Sequence, residues 1–199
     1  MSSLPLSAAF PVSPPRLRLL TADTHDIDID LVYATDRNLT GKVIYRQPHC
    51  LLLEPACAGL EKAVTLVGLM GLRIKVFDGY RPPEAQQALW DFLPDPTFIA
   101  DPRKGSNHAR GVAIDLTLVD AAGNELDMGT GFDEAVAESG HHHPNVPPSA
   151  LRNRMLLMGT MLAAGFTANP NEWWHYQLPN PTQYALLADG AGGVPRMMS

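Results

Sequence analysis

The apolar run from Val112 to Leu118 carries a carboxylate, Asp115, near its middle, and this residue restricts the chain more than any other. A short apolar run of this kind reads as a buried strand. A carboxylate inside such a strand carries a desolvation penalty on the order of several kcal/mol unless a cation or several donors compensate it. Upstream lie Ser106, Asn107 and His108 in a small-residue loop, then Gly111, which permits a backbone conformation that larger residues resist. An imidazole and a carboxylate therefore flank a glycine turn that feeds a core strand, and a metal ion would neutralise the carboxylate directly.

Glu172-Trp173-Trp174-His175-Tyr176 completes the set. With His175 as third ligand, His108, Asp115 and His175 give two imidazoles and one carboxylate with a fourth position open to water, the pattern of a catalytic rather than a structural zinc. Glu172 is then free to act as a base toward water whose pKa the metal lowers to about 7, passing the proton to a leaving amine. Each residue alone has a plainer reading: a surface histidine, a turn-forming aspartate, tryptophans in a core. The combined spacing favours the metal site.

The pattern Ser-x-His-x-x-Gly-x-Ala-x-Asp from Ser106 to Asp115, with Glu-x-x-His from Glu172 to His175, resembles the zinc D-Ala-D-Ala metallopeptidases, more narrowly the VanX-like D-alanyl-D-alanine dipeptidases. Supporting stretches are Tyr33-Ala34-Thr35, Asn38-Leu39-Thr40-Gly41, Asp78-Gly79-Tyr80-Arg81-Pro82, Met128-Gly129 and Phe132-Asp133, in the family's order. The resemblance implies one Zn2+ per chain and an α+β fold, hedgehog-like, with a small mainly antiparallel sheet, flanking helices and the zinc at one end of the sheet. It implies that Arg81 faces the metal and holds the charge gained by the scissile carbonyl oxygen. It also implies that Asp133 meets the free ammonium of a dipeptide, and that the Tyr33 to Tyr45 loop borders the site. Read without it, Arg81 is a solvent-facing or Asp78-paired turn residue and Asp133 a cap for the segment after it. Ser106 is a candidate for positioning substrate or His108.

The remaining composition sets bounds. A chain of 199 residues fits one domain, expected over 1–199, and its net charge of −6 argues against nucleic acid as a partner. Cys50 and Cys57 form no Cys-x-x-Cys pair and read as free thiols, which suits a reducing compartment. Leu4 to Val12 is broken by prolines and preceded by no basic residue, and no stretch reaches the roughly 18 apolar residues of a membrane helix, so a cytoplasmic protein is expected.

Along the chain, residues 1–20 are expected to be a loose arm, Ile27 to Tyr33 an edge strand with an acidic outer face, and 55–70 a helix. Arg73 to Phe77 reads as a strand delivering Arg81 to a turn, Pro83 to Phe92 as a helix and Leu93 to Gly105 as a loop. A helix from Ser149 to Ala164, capped by Ser149, would bury Leu151, Met155, Met158 and Leu162. Trp174 to Leu178 reads as a strand and residues 189–199 as a loose tail. His141, His142 and His143 cannot easily converge on one ion and read as loop residues. The expected activity is hydrolysis of D-Ala-D-Ala, a small dipeptide. The alternatives are a D,D- or L,D-carboxypeptidase acting on longer peptidoglycan peptides and a zinc-binding module without catalysis.

Overall fold

The computed structural model describes residues 16–199. A five-stranded sheet is built from β2 (Ile27–Ile29), β4 (Arg73–Asp78), β5 (Ala113–Val119), β6 (Thr167–Ala168) and β7 (His175–Gln177), in the order β2-β4-β5-β7-β6. Only the β2–β4 pairing is parallel, so the sheet is mainly antiparallel, as expected. β1 (Leu17–Leu20) and β3 (Cys50–Leu53) form a separate antiparallel pair. Helices α1 (Ala22–His25), α2 (Glu54–Gly68), α3 (Pro83–Phe92) and α4 (Pro148–Ala163) complete the α+β architecture. No helix among the described residues is long and apolar enough to cross a membrane.

β5 is buried at every position because both faces of the sheet are covered. Ile114, Leu116 and Leu118 join Leu60 and Val67 of α2 and Leu157 and Met161 of α4 in one apolar cluster. Alternation along the strand then turns Asp115 to the opposite face, where Phe77, Phe132 and Trp174 pack together, with ring centroids 4.7 Å and 5.5 Å apart in the two successive pairs.

Register determines what meets on that face. Asp115 lies opposite His175 on β7 and, across an irregularity between Val76 and Asp78, opposite Asp78 on β4. Directly opposed residues on antiparallel strands carry side chains on the same face within about 5.5 Å at Cβ. A row of polar groups is thereby set at one end of an apolar sheet.

Several elements depart from the pattern read in the sequence. Residues 1–15 of the expected arm lie outside the described residues, but Leu17–Leu20 is strand β1, paired with residues Cys50–Leu53. A four-residue strand whose partner lies some thirty residues away carries too little local periodicity to announce itself. The edge strand ends at Ile29, and Val32–Ala34 is a 3₁₀ turn. The tail from Asp189 is held in place: the Asp189 carboxylate accepts the N–H groups of Met197 and Met198, and the Met197 carbonyl accepts those of Arg46 and Gln47. Ser149 does not cap α4, whose first turn starts at Pro148 with Pro147 before it. The buried face of α4 is Ala150, Arg154, Leu157 and Met161, while Met155 and Leu162 are exposed.

His108 sits in the 3₁₀ turn His108–Arg110 just before β5, and Gly111 closes that turn in the left-handed region at φ 68°. A Cβ at Gly111 would lie 2.8 Å from Leu17 Cδ2 and 3.3 Å from the Leu53 amide nitrogen. Gly111→Ala is therefore expected to destabilise the fold by about 1–2 kcal/mol from the left-handed backbone alone, with steric displacement added. Urea unfolding checks this: the midpoint should fall at unchanged slope, and an unshifted midpoint would show that the turn relaxes freely.

Candidate active site

The glycine turn and the β5–β7 register bring His108, Asp115 and His175 together, all buried, with one possible ligand atom from each within 4.8 Å of the others. His108 Nε2 lies 3.0 Å from His175 Nδ1, which is 3.0 Å from Asp115 Oδ1. The outer ring nitrogens face groups that accept: His108 Nδ1–H donates to the Gly79 carbonyl at 2.7 Å, and His175 Nε2–H to Gln177 Oε1 at 3.1 Å. With both protons directed outward, the inner nitrogens are acceptors facing a carboxylate. Three groups converging in this way call for a cation or a shared proton among them, and the outward donations match the way metal-bound histidines are usually held. Burial lowers the proton affinity of His175, yet the Asp115 carboxylate beside it outweighs this and raises its pKa to about 9, so without a metal a proton on Nδ1 takes the cation's place between the two. Burial likewise works against ionised Asp115, but the two imidazoles hold it well below the usual carboxylate range. The donor set fits a divalent metal.

Arg81 is buried beside this trio. Its Nε donates to Asp78 Oδ2 at 2.9 Å, and one terminal nitrogen to Gln86 Oε1 at 3.1 Å. The other terminal nitrogen reaches Tyr33 Oη at 3.4 Å and Asp115 Oδ2 at 3.3 Å, and the guanidinium lies 4.7 Å from the centre of the Tyr33 ring. Arg81 thus pairs with Asp78 and Asp115 and lies buried beside the trio. Ser106 Oγ accepts the His108 amide N–H at 3.2 Å, so the serine braces the turn that carries His108.

Two further carboxylates enter the same cavity of about 170 Å³, whose wall includes Tyr33, Leu39, Phe98 and Trp174. Glu172 Oε2 accepts from Asn169 Nδ2 at 2.7 Å and lies 3.8 Å from His175 Nδ1. Burial pushes the Glu172 pKa up to about 7, the range a proton shuttle needs. Asp133 has positive φ, 62°. Its Oδ1 accepts from Tyr33 Oη at 2.9 Å, its Oδ2 is buried with no partner, and burial raises its pKa to about 7.

His141, His142 and His143 do not converge. His141 is buried with neither ring nitrogen bonded, and burial lowers its pKa to about 4.

The chain matches the family described as D-Ala-D-Ala dipeptidase over residues 17–189. It is 50% identical over 164 residues to a D-alanyl-D-alanine dipeptidase of Escherichia coli (strain K12), covering 82% of this chain and 85% of that protein. The chain belongs to this family. Similarity extends to D-alanyl-D-alanine dipeptidases of Enterococcus faecium, 33% identical over 80% of this chain and 91% of the relative, and of Streptomyces coelicolor, 32% identical over 78% and 89%.

Several residues of this dipeptidase-family site escape a reading of the sequence. Gln177, whose oxygen also accepts from Asn107 Nδ2 at 2.7 Å, orients His175, and the two-residue strand period shared with His175 was a usable signal. Gln86 and Asn169 carried none, since a helical glutamine and a loop asparagine are ordinary surface residues.

The pH response of Asp133 follows from its burial. The folded protein holds the Asp133 proton up to about pH 7, whereas the unfolded chain releases it near about pH 3.9. Ionisation above that window weighs against the fold. Asp133→Asn is expected to unfold later than the parent at about pH 8, the gap shrinking as pH falls from about 7 toward 4. Equal stability at about pH 8 would show the carboxylate to be already compensated.

Proposed function

We propose that this chain, as one domain, hydrolyses D-alanyl-D-alanine to two D-alanines with one zinc ion held by His108, Asp115 and His175. The observation that carries the reading is the unpartnered Oδ2 of Asp133, buried in the same small cavity as the histidine–aspartate trio. That cavity is below the roughly 300–1,000 Å³ of sites for drug-sized ligands. A buried carboxyl oxygen with no partner suits a substrate whose cationic donor displaces its proton, and the free ammonium of a dipeptide is such a donor. Family membership supports the same substrate class.

When bound, the zinc supplies Lewis-acid polarisation of the scissile carbonyl and lowers the pKa of water toward neutrality. The chain's own groups do the rest. Asp133 accepts the substrate ammonium and fixes the amino end of the dipeptide. Glu172, 3.8 Å from His175 Nδ1, takes the proton from the attacking water and delivers it to the leaving amine, a transfer suited to a carboxyl whose pKa burial has raised to about 7. Arg81 donates to the carbonyl oxygen as negative charge develops there. Its guanidinium is already anchored by Asp78 and Gln86, so little reorganisation accompanies the reaction. Ser106 holds the backbone of His108 and acts through it. Free, buried Cys50 and Cys57 accord with a reducing, cytoplasmic setting.

The test compares D-alanine release from D-Ala-D-Ala and from a pentapeptide ending in D-Ala-D-Ala, for the zinc-loaded parent and Glu172→Gln. Release from the dipeptide alone is expected, with kcat lowered about 10²–10⁴-fold in the variant while zinc is retained. Preferential release from the pentapeptide would replace this reading with a carboxypeptidase. No release from either would remove catalysis on these substrates altogether.

A further inference from the structure

Arg154 on α4 is fully buried and the largest such side chain among the described residues. Burying a guanidinium is costly and is normally offset by a carboxylate, but Arg154 makes its hydrogen bonds elsewhere. Nε donates to the Met128 carbonyl at 2.6 Å, one terminal nitrogen to the carbonyls of Glu138 at 2.9 Å and Gly140 at 2.8 Å, and the other to Thr130 Oγ1 at 3.2 Å. All four partners belong to the segment from Met128 to Gly140, which carries Asp133.

The hydrogen bonds beyond Arg154 have a fixed direction. Thr130 Oγ1 also accepts from Trp173 Nε1 at 3.0 Å. A hydroxyl oxygen that accepts two hydrogen bonds has its own proton left to give, and Ser139 Oγ lies 3.1 Å away. Ser139 in turn donates to the Glu134 carbonyl at 2.6 Å, one residue beyond Asp133. The same arginine therefore braces both ends of the loop and, through Thr130 and Ser139, the carbonyl of Glu134, the residue next to Asp133. That brace counteracts local strain, because Asp133 is a non-glycine residue at φ 62° and such a conformation persists only where surrounding contacts enforce it.

We propose that Arg154 is a positioning residue for substrate selection, holding Asp133 through the Thr130–Ser139 relay where it meets the substrate ammonium. The proposal rests on the reading of Asp133 as the ammonium anchor. A lysine at this position keeps the charge but lacks the planar fork that serves four acceptors.

The experiment measures kcat and KM for D-Ala-D-Ala, and the inhibition constant of N-propionyl-D-alanine, which lacks only the ammonium. The proteins are the zinc-loaded parent, Arg154→Lys, Thr130→Val and Asp133→Asn, with bound zinc and melting temperature recorded for each. In Arg154→Lys and Asp133→Asn, KM for the dipeptide should rise about tenfold or more, the equivalent of one hydrogen bond to a charged group, while kcat changes less. Binding of N-propionyl-D-alanine should stay within about twofold in both, a split that general loosening would not produce. Thr130→Val should move in the same direction by less, and it decides the matter if Arg154→Lys does not fold. Parallel weakening of both ligands in the Arg154 and Thr130 variants, or no change in either, would overturn the role of Arg154. If Asp133→Asn leaves the preference for the ammonium untouched, the anchor reading falls and this proposal falls with it.

Discussion

Three buried acceptors meeting at one point, His108 Nε2, His175 Nδ1 and an Asp115 oxygen, govern the architecture around them. Such a cluster is stable only with a cation or a proton among its members, so the fold has to hold it open and correctly directed for a metal to enter. It does so from outside. The Gly79 carbonyl and Gln177 fix the outer faces of the two rings, and the β5–β7 register fixes aspartate against histidine. The left-handed turn at Gly111 lets His108 approach before the chain enters β5.

Further ionisable groups are arranged around this centre at some expense of stability. Asp78, Arg81 and Asp115 form a buried charged array in which the guanidinium touches both carboxylates. Glu172 and Asp133 are less well compensated, and both pKa values rise to about 7 through burial. Perturbed carboxyl groups gathered in one small cavity mark a site selected for chemistry over stability. The apolar cluster between the sheet and helices α2 and α4 supplies the rigidity that keeps them there.

The trio was legible in the sequence because Asp115 violates the rule for a core strand, and a violation with a histidine on either side has few physical explanations. Arg81 and Glu172 stood out through motifs, and both lie buried in the wall of the same cavity. Arg154 was not legible. On α4 the spacing of Leu151, Met155, Met158 and Leu162 makes as good an apolar stripe as Ala150, Leu157 and Met161, and an arginine normally marks the solvent side. Hydrogen bonds to a distant loop reversed that choice, and no helical periodicity contains them. The same limit applies to Leu17–Leu20 and to the C-terminal segment, both of which are ordered by backbone hydrogen bonds to remote partners.

The central claim is that a metal ion completes the trio of His108, Asp115 and His175 in the orientation their outer hydrogen bonds dictate. Anomalous diffraction at the zinc absorption edge, from crystals of the zinc-loaded protein, tests it most directly. One strong peak is expected, bonded to His108 Nε2, an Asp115 carboxylate oxygen and His175 Nδ1, with the Gly79 and Gln177 contacts kept. A peak at His141–His143, or coordination through the opposite nitrogen of either ring, would contradict the account.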